Sequence, residues 1–144
     1  METLLEMMRK VLADAYAFQL KANNYHWNVE GPNFAQYHDF LGELYDEVFA
    51  ATDAIAEQIR ALDAYAPGSF TRFLELTNIE CETTIPMALE MMRRLKLDND
   101  KILETLNVAF KLAEELDKPG LADYLAGRID AHSKHGWMLN SFTK

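Results

Sequence analysis

The chain has 144 residues, a formal net charge of −9 and a pI near 4.8. A chain of this length is large enough to bury about two-thirds of its unfolded surface without disulfides, and we expect one domain over residues 1–144. Hydrophobic residues make up 49% of it, with only six Gly and four Pro, which favours long helices over a turn-rich β fold. We therefore expect an all-α protein.

Charge and cysteine content exclude several classes of protein. The basic residues are not gathered into a patch, so we expect no direct binding to DNA. Cys81 is the single cysteine, so an intrachain disulfide is impossible. Neither a signal peptide at residues 1–10 nor a run of about 18 apolar residues is present, so we expect a cytoplasmic protein without a membrane segment.

The first half of the chain predicts two antiparallel helices. Apolar residues recur every three or four positions from Leu4 to about Val29, which is typical of a helix with one buried face. Gly31 and Pro32 end this helix, and Asn33 is a candidate N-cap for the next one. The second helix is expected to end before Pro67 and to form an αα-hairpin with the first. Its predicted buried stripe comprises Phe34, Tyr37, Leu41, Leu44, Val48, Ala51, Ile55, Ile59 and Leu62.

The second half predicts a short helix and two long ones. Residues 64–86 form a long connection in which an apolar patch around Phe70 and Phe73 predicts a short helix. These two rings could cover the core or contact another subunit. Pro86 suits the first turn of a third long helix, and residues 117–120 (DKPG) predict its stop before a fourth. The expected fold is a four-helix bundle with a short extra helix in the middle connection.

Two acids and two histidines have a spacing that suits a metal site. Asp53 and Glu57 are four residues apart, so both carboxylates lie on one helix face and can share a metal ion. His26 and His38 are twelve apart, and the break at residues 31–32 allows the chain to turn and bring the two imidazoles together. Iron or zinc would choose such a ligand set.

The two pairs cannot meet within one chain. Fifteen residues of straight helix would separate His38 from Asp53 by roughly 22 Å. A second chain must therefore supply one pair. Antiparallel pairing about a twofold axis would place both histidines of one chain against Asp53 and Glu57 of the other, and symmetry would form the site twice.

These residues resemble a known family. Residues 26–34 (HWNVEGPNF), His38 and residues 53–57 (DAIAE) are similar to the signature of the Dps family, small ferritin-like iron-storage proteins. A second block, residues 122–132 (ADYLAGRIDAH) with 137–139 (WML), resembles the family's last helix. The resemblance covers nearly the whole chain and implies a ferritin-like four-helix bundle.

The resemblance also implies a function. It implies a hollow homododecamer in which Fe(II) is oxidised by hydrogen peroxide, or more slowly by oxygen, at a two-iron intersubunit site of His26, His38, Asp53 and Glu57. Fe(III) is then mineralised inside the cage, and this ferroxidase activity protects DNA from oxidative damage. The short middle helix is expected at the twofold contact. Asp123 resembles an acid that lines the iron entry pores. An alternative is that Asp123 and Asp117 are first-turn acids at a helix N-terminus.

One position departs from the family pattern. The family usually has an aspartate one turn after the second histidine, and Gly42 stands there. Asp46 or Glu43 could partly substitute as a ligand. We expect the second iron position to be weakened, iron oxidation to be slow, and a Gly42→Asp variant to bind or oxidise iron faster.

Other interpretations stay open at this stage. His132 and His135 have a metal-binding spacing but no carboxylate partner evident in the sequence, so we interpret them as packing or subunit-contact residues. Trp27 is expected to cover the iron site, although an indole beside an oxidising centre could also absorb stray oxidising equivalents. A metal-storage shell with an impaired oxidase, a nucleoid-binding protein and a helical interaction module are the alternative functions.

Overall fold

The computed structural model describes all residues from 1 to 144, and every regular element in it is a helix. The long helices are α1 (Glu2–Asn28), α2 (Phe34–Ala61), α4 (Ala88–Glu115) and α5 (Pro119–Ser141), and the short α3 (Phe70–Leu76) lies in the middle connection. Helix α1 packs against α2, α3 and α4, and α4 also packs against α5. The fold confirms the predicted ferritin-like four-helix bundle with one short extra helix.

A five-residue turn joins α1 to α2. Gly31 has φ +117°, a backbone conformation that favours glycine, and so permits the reversal. Asn33 is the N-cap residue as predicted, but its side chain makes no capping hydrogen bond, so that part of the prediction is wrong. The turn places His26, near the end of α1, beside His38 in the second turn of α2.

Helix α3 and the segment after it are anchored on α1. The buried Asp14 carboxylate accepts hydrogen bonds from the Thr77 hydroxyl at 2.6 Å and the Asn78 amide at 2.8 Å. Phe73 stacks on Tyr16 with ring centroids 4.7 Å apart, whereas Phe70 is 88% exposed. The two phenylalanines therefore differ, since Phe73 covers the core and Phe70 is left on the surface of the chain.

The boundaries of α4 and α5 differ slightly from the predicted ones. Helix α4 begins at Ala88, so Pro86 lies just before the helix and not in its first turn. Pro119 is the first residue of α5, where its fixed φ suits a helix start, so it does not belong to the stop. Asp117, with φ +55°, provides the reversal between the two helices.

The core follows the predicted stripes closely. The apolar stripe of α1 is buried along its whole length, and its members are Leu4, Met8, Val11, Ala15, Phe18, Ala22 and Tyr25. The main exception is Phe34, which is 43% exposed and stacks on His38 instead of entering the core. No helix combines the length and the apolar character that crossing a bilayer requires.

Candidate metal centre

The structure brings His26 and His38 into direct contact at the α1–α2 turn. Their rings stack with centroids 3.8 Å apart and an interplanar angle of 13°. Nδ1 of His26 lies 2.6 Å from the carbonyl oxygen of His38, and Nδ1 of His38 lies 2.7 Å from the carbonyl oxygen of His26. Each ring is thus held by the backbone of the other residue.

This exchange of hydrogen bonds fixes which nitrogen of each ring is free. A carbonyl oxygen can only accept a hydrogen bond, so each Nδ1 must carry the proton. A neutral imidazole then presents an unprotonated Nε2, and no protein group hydrogen-bonds to Nε2 of either ring. Metal-binding histidines are commonly prepared in this way, with one nitrogen bonded to a carbonyl and the other left for the metal.

Three further residues enclose the histidine pair. Phe34 stacks on His38 with centroids 5.0 Å apart, and Tyr45 meets His26 edge-on at 5.4 Å. Gly42 lies under the imidazole of His26, where a Cβ atom would come within 3.0 Å of Cε1 and 3.2 Å of Nδ1. A side chain at position 42 would therefore press on the His26 ring, a close approach that sequence spacing alone did not reveal.

The predicted acid pair forms on α2 as its spacing requires. Asp53 and Glu57 are both exposed, and a hydrogen bond that Glu57 donates to the neighbouring Asp53 carboxylate, reinforced by the negative charge of Asp53, raises the pKa of the Glu57 carboxyl. Asp53 also lines a surface depression together with apolar residues of α2 and α3, among them Phe49, Phe70 and Phe73. Two carboxylates that influence each other in this way lie close enough to share a cation.

One chain does not complete a metal site. No group of three or more His, Cys, Asp or Glu side chains is placed to hold a metal ion. His26 lies beside His38, and Asp53 lies beside Glu57, but the histidine pair and the acid pair do not form one metal-binding group within the chain. Asp46 and Glu43, the possible substitutes for a carboxylate at position 42, are exposed on α2. Their role as ligands stays a prediction, as does metal binding by the four main residues.

His132 and His135 belong to a buried polar network. His132 Nδ1 lies 2.8 Å from Oδ1 of Asn99, and Arg128 donates to its Nε2 at 3.2 Å. Burial, with the charge of Arg128, lowers the pKa of His132 to about 3. His135 Nε2 lies 2.7 Å from Glu47, and Arg128 bonds both oxygens of the same carboxylate at 2.6 and 3.0 Å.

The network confirms a packing role for His132 and His135 and supplies the acid that the sequence did not show. Burial opposes ionisation of Glu47, but hydrogen bonds from His135 and Arg128 outweigh it and hold the pKa of that carboxyl well below its usual range. Both nitrogens of His132 are occupied. This pair is therefore a structural element of the bundle.

Two other predictions concern the surface. Asp123 and Asp117 line one shallow depression beside Pro119. The helix-terminus alternative is wrong, because the first turn of α5 contains no acidic residue. The pore role of Asp123 stays a prediction. Trp27 is 64% exposed in the single chain, and its covering of the assembled iron site stays a prediction.

Sequence reasoning missed Gly42 as a packing residue, and it missed Phe34, Tyr45 and Glu47 as neighbours of histidines. Gly42 carried a usable signal, because a glycine inside a helix costs about 1 kcal/mol relative to alanine and often marks a close approach. Glu47 carried none, since it lies 81 and 88 residues from its partners.

Comparisons with known proteins agree with this architecture. A ferritin-like domain model matches residues 5–144. DNA protection during starvation protein 2 of Bacillus anthracis is 30% identical over 139 residues, which are 96% of this chain and 95% of that protein. The crystal structure of a Dps protein from Bacillus brevis has a TM-score of 0.95 at 29% identity, covering 99% of this chain and 96% of that one.

A Dps structure from Vibrio cholerae, described as a member of a broad superfamily of ferritin-like diiron-carboxylate proteins, has a TM-score of 0.95 at 26% identity. The match covers 99% of this chain and 90% of the Vibrio cholerae chain. The likeness extends over the helices that carry the histidine pair and the acid pair. The chain therefore belongs to the Dps family of ferritin-like proteins.

Proposed function

We propose that this protein stores and detoxifies iron as a hollow homo-oligomer, oxidising Fe(II) at sites formed between subunits. Membership of the Dps family supports iron storage and DNA protection in general. The specific observation that carries the proposal is the histidine pair, whose Nδ1 atoms are both committed to carbonyl oxygens. Each Nε2 is then free to bind iron as substrate.

The second half of the site comes from another copy of the chain. Asp53 and Glu57 lie one turn apart on α2, and no histidine of the same chain joins them. Pairing of two copies about a twofold axis would bring His26 and His38 of one copy to the acid pair of the other. The assembled donor set has two imidazoles and two carboxylates.

An exposed apolar surface beside the acids supports this pairing. Phe70 is 88% exposed, Leu74 64% and Phe49 53%, and with Phe73 they border two adjoining depressions along α3. Large exposed apolar patches mark association surfaces. A second copy bound here would cover α3 and approach Asp53. We propose a dodecameric cage built from such pairs, as the family resemblance implies.

The donor set suits the chemistry of iron oxidation. Imidazole nitrogens bind Fe(II), and carboxylates favour the harder Fe(III) product. With hydrogen peroxide the balanced reaction is 2 Fe(II) + H₂O₂ + 2 H⁺ → 2 Fe(III) + 2 H₂O, in which each iron loses one electron. Fe(III) then hydrolyses and is stored as mineral. Removing Fe(II) and peroxide together lowers hydroxyl-radical formation and so protects DNA without contact.

A storage shell with a weak oxidase is the second candidate, because Gly42 provides no carboxylate. The two candidates differ in whether peroxide is consumed as Fe(II) disappears. A nucleoid-binding role would require a basic surface, and the net charge is −9. A mobility-shift assay at low salt tests that role directly.

The proposal is tested by anaerobic titration of the assembled protein with Fe(II), followed by peroxide and a record of the oxidation rate. Stoichiometric binding and oxidation faster than in buffer are expected. Asp53→Asn with Glu57→Gln should abolish both. Asp130→Asn, which removes an exposed acid on α5, is the matched control. Fe(II) binding unchanged by the double substitution would refute the intersubunit site.

A further inference from the structure

A depression of about 1030 Å³ lies between the α1–α2 turn and the start of α4. Large apolar side chains border it and are open to solvent, since Met87 is 84%, Ile85 56% and Leu89 41% exposed. The depression shares no residue with the two depressions along α3. Adjoining exposed apolar side chains mark a surface on which another molecule packs.

The lining of this depression has the composition of a protein interface. It includes Met87, Tyr37, Arg93 and Arg94 but no lysine, and interfaces are enriched in methionine, aromatic residues and arginine and depleted in lysine. The depression around Asp98 differs, because two lysines and six acids line it. That second lining is typical of a solvated surface, whereas the first is suited to burial.

The walls of the depression are held in place within the chain. Arg94 donates hydrogen bonds to Glu82 at 2.6 Å and to Glu90 at 3.2 Å, which fixes the first turns of α4. On the other wall, Tyr37 packs on Phe142 with ring centroids 5.3 Å apart. A surface with fixed walls loses little conformational freedom when a partner binds.

The proposed cage needs a second contact of this kind. Contact about a twofold axis closes on itself and gives only a pair of chains. Joining pairs requires a different surface that meets its neighbour head to tail and closes into a ring. The surface around Phe70 and Leu74 serves the pair, so the joining surface must lie elsewhere on the chain.

We propose that the depression bordered by Ile85 and Met87 is this joining surface, and that it binds the same end of a chain from a neighbouring pair. The inference rests on the proposed function, since only a cage of pairs needs such a surface. Charges at the rim suit head-to-tail packing. Arg93 is half-exposed and 3.8 Å from Glu90 of its own helix, and Glu30 is exposed on the α1–α2 turn. Arg93 of one copy can therefore pair with Glu30 of the next.

The test compares lysine substitutions by sedimentation and light scattering at one protein concentration. Ile85→Lys with Met87→Lys should lower the share of cage at least tenfold and leave particles of twice the chain mass of 16.5 kDa, because unpaired charges would be buried at the contact. Leu97→Lys is the matched control, since Leu97 is 63% exposed on α4 outside the depression. It should leave the cage intact. Circular dichroism checks that each variant folds.

Charge reversal tests the head-to-tail geometry separately. Arg93→Glu and Glu30→Arg should each shift the equilibrium from cage toward pairs, because each places like charges at the contact. Combining the two substitutions should restore the cage. A double variant no better assembled than either single variant would refute this pairing of the two rims.

The outcomes separate this inference from the proposed function. Co²⁺ suits two imidazoles and two carboxylates as Fe(II) does, and pairs released by the lysine substitutions should bind it with the native stoichiometry per chain. A lysine variant that stays a cage or falls to single chains would refute the joining surface, as would a native protein that stops at the pair. A native cage that binds neither Co²⁺ nor Fe(II) would refute only the iron site. If the lysine variant does not fold, charge reversal decides.

Discussion

The two histidine pairs of this chain differ in which ring nitrogens are hydrogen-bonded. His26 and His38 each donate a hydrogen bond from Nδ1 to a backbone carbonyl oxygen and leave Nε2 free. His132 has both nitrogens bonded, one to Asn99 and one to Arg128, and His135 bonds Glu47. The pair with the classical metal-binding spacing is the one already satisfied within the bundle. Free nitrogens, and not spacing, identify the candidate ligands.

The surroundings of the two pairs differ in the same sense. The first pair lies among aromatic rings and the backbone of Gly42, with no acid of its own chain completing a site. The second pair is surrounded by charge, since Arg128 and Glu47 form a bidentate ion pair beside it. The first pair, His26 and His38, is the proposed metal-binding pair. In the second pair, the Arg128 guanidinium already bonds the ring nitrogen of His132.

The largest expected effect tests the comparison directly. His26→Ala removes a predicted ligand and should raise the Kd for Co²⁺ about 100-fold or more, beyond the usual loss from a supporting residue. His135→Ala should leave this Kd within roughly threefold, or ~0.6 kcal/mol. Anaerobic calorimetry on both assembled variants measures the difference. Equal losses would show that the comparison is mistaken.

The ion pair of the buried network should matter for stability and not for metal binding. Glu47→Gln leaves the Arg128 guanidinium with a weaker partner. Breaking a buried pair costs about 3–5 kcal/mol, but Glu47 is 37% exposed, so screening by water reduces the expected loss to roughly 2 kcal/mol.

Urea unfolding followed by circular dichroism measures this change in the free energy of unfolding. Glu43→Gln, at an exposed position on the same helix, is the control for loss of one charge. A loss below about 0.5 kcal/mol would mean that Glu47 behaves as an ordinary surface ion-pair partner.

Glycine packing offers a smaller test of the same network. At Gly136 a Cβ atom would come within 2.9 Å of Nδ2 of Asn99, and that nitrogen donates to the carbonyl oxygen of His132 at 2.8 Å. Gly136→Ala should therefore cost about 1–2 kcal/mol through overpacking. Gly127→Ala should instead stabilise α5 by up to about 1 kcal/mol. Opposite shifts in Tm are expected, and two upward shifts would contradict the contact at Gly136.

Periodicity was enough to predict the helices but not the contacts between them. The stripes of α1 and α2, the break at Gly31 and the short helix around Phe73 all follow from residue spacing and turn chemistry. The approach of His26 to His38 was also predictable, because the turn lies midway between them. The errors at Asn33 and Pro86 concern one side chain and a boundary of two residues, which local rules define poorly.

The sequence could not show which nitrogen each histidine leaves free. That depends on carbonyl oxygens reached only after α1 and α2 pack. The partnership of Glu47 with Arg128 joins residues 81 positions apart, and only the assembled bundle brings them together. Gly42 was interpreted as a missing ligand because only the folded chain shows His26 in the space beside it.

The last test separates the pairs by pH. Burial and the charge of Arg128 lower the pKa of His132 from 6.5 to about 3, so between these values the unfolded chain binds a proton that the folded chain does not. Stability must then fall as pH falls from about 6.5, by at most about 1.4 kcal/mol per pH unit. His132→Gln can keep both hydrogen bonds and cannot titrate, so its stability should depend less on pH by that amount. Urea unfolding of both proteins at pH 7, 6 and 5 measures the slopes. Parallel slopes would mean that His132 takes up its proton in the folded bundle. His132 would then not be held neutral by its surroundings, and the contrast drawn here between the two histidine pairs would be wrong.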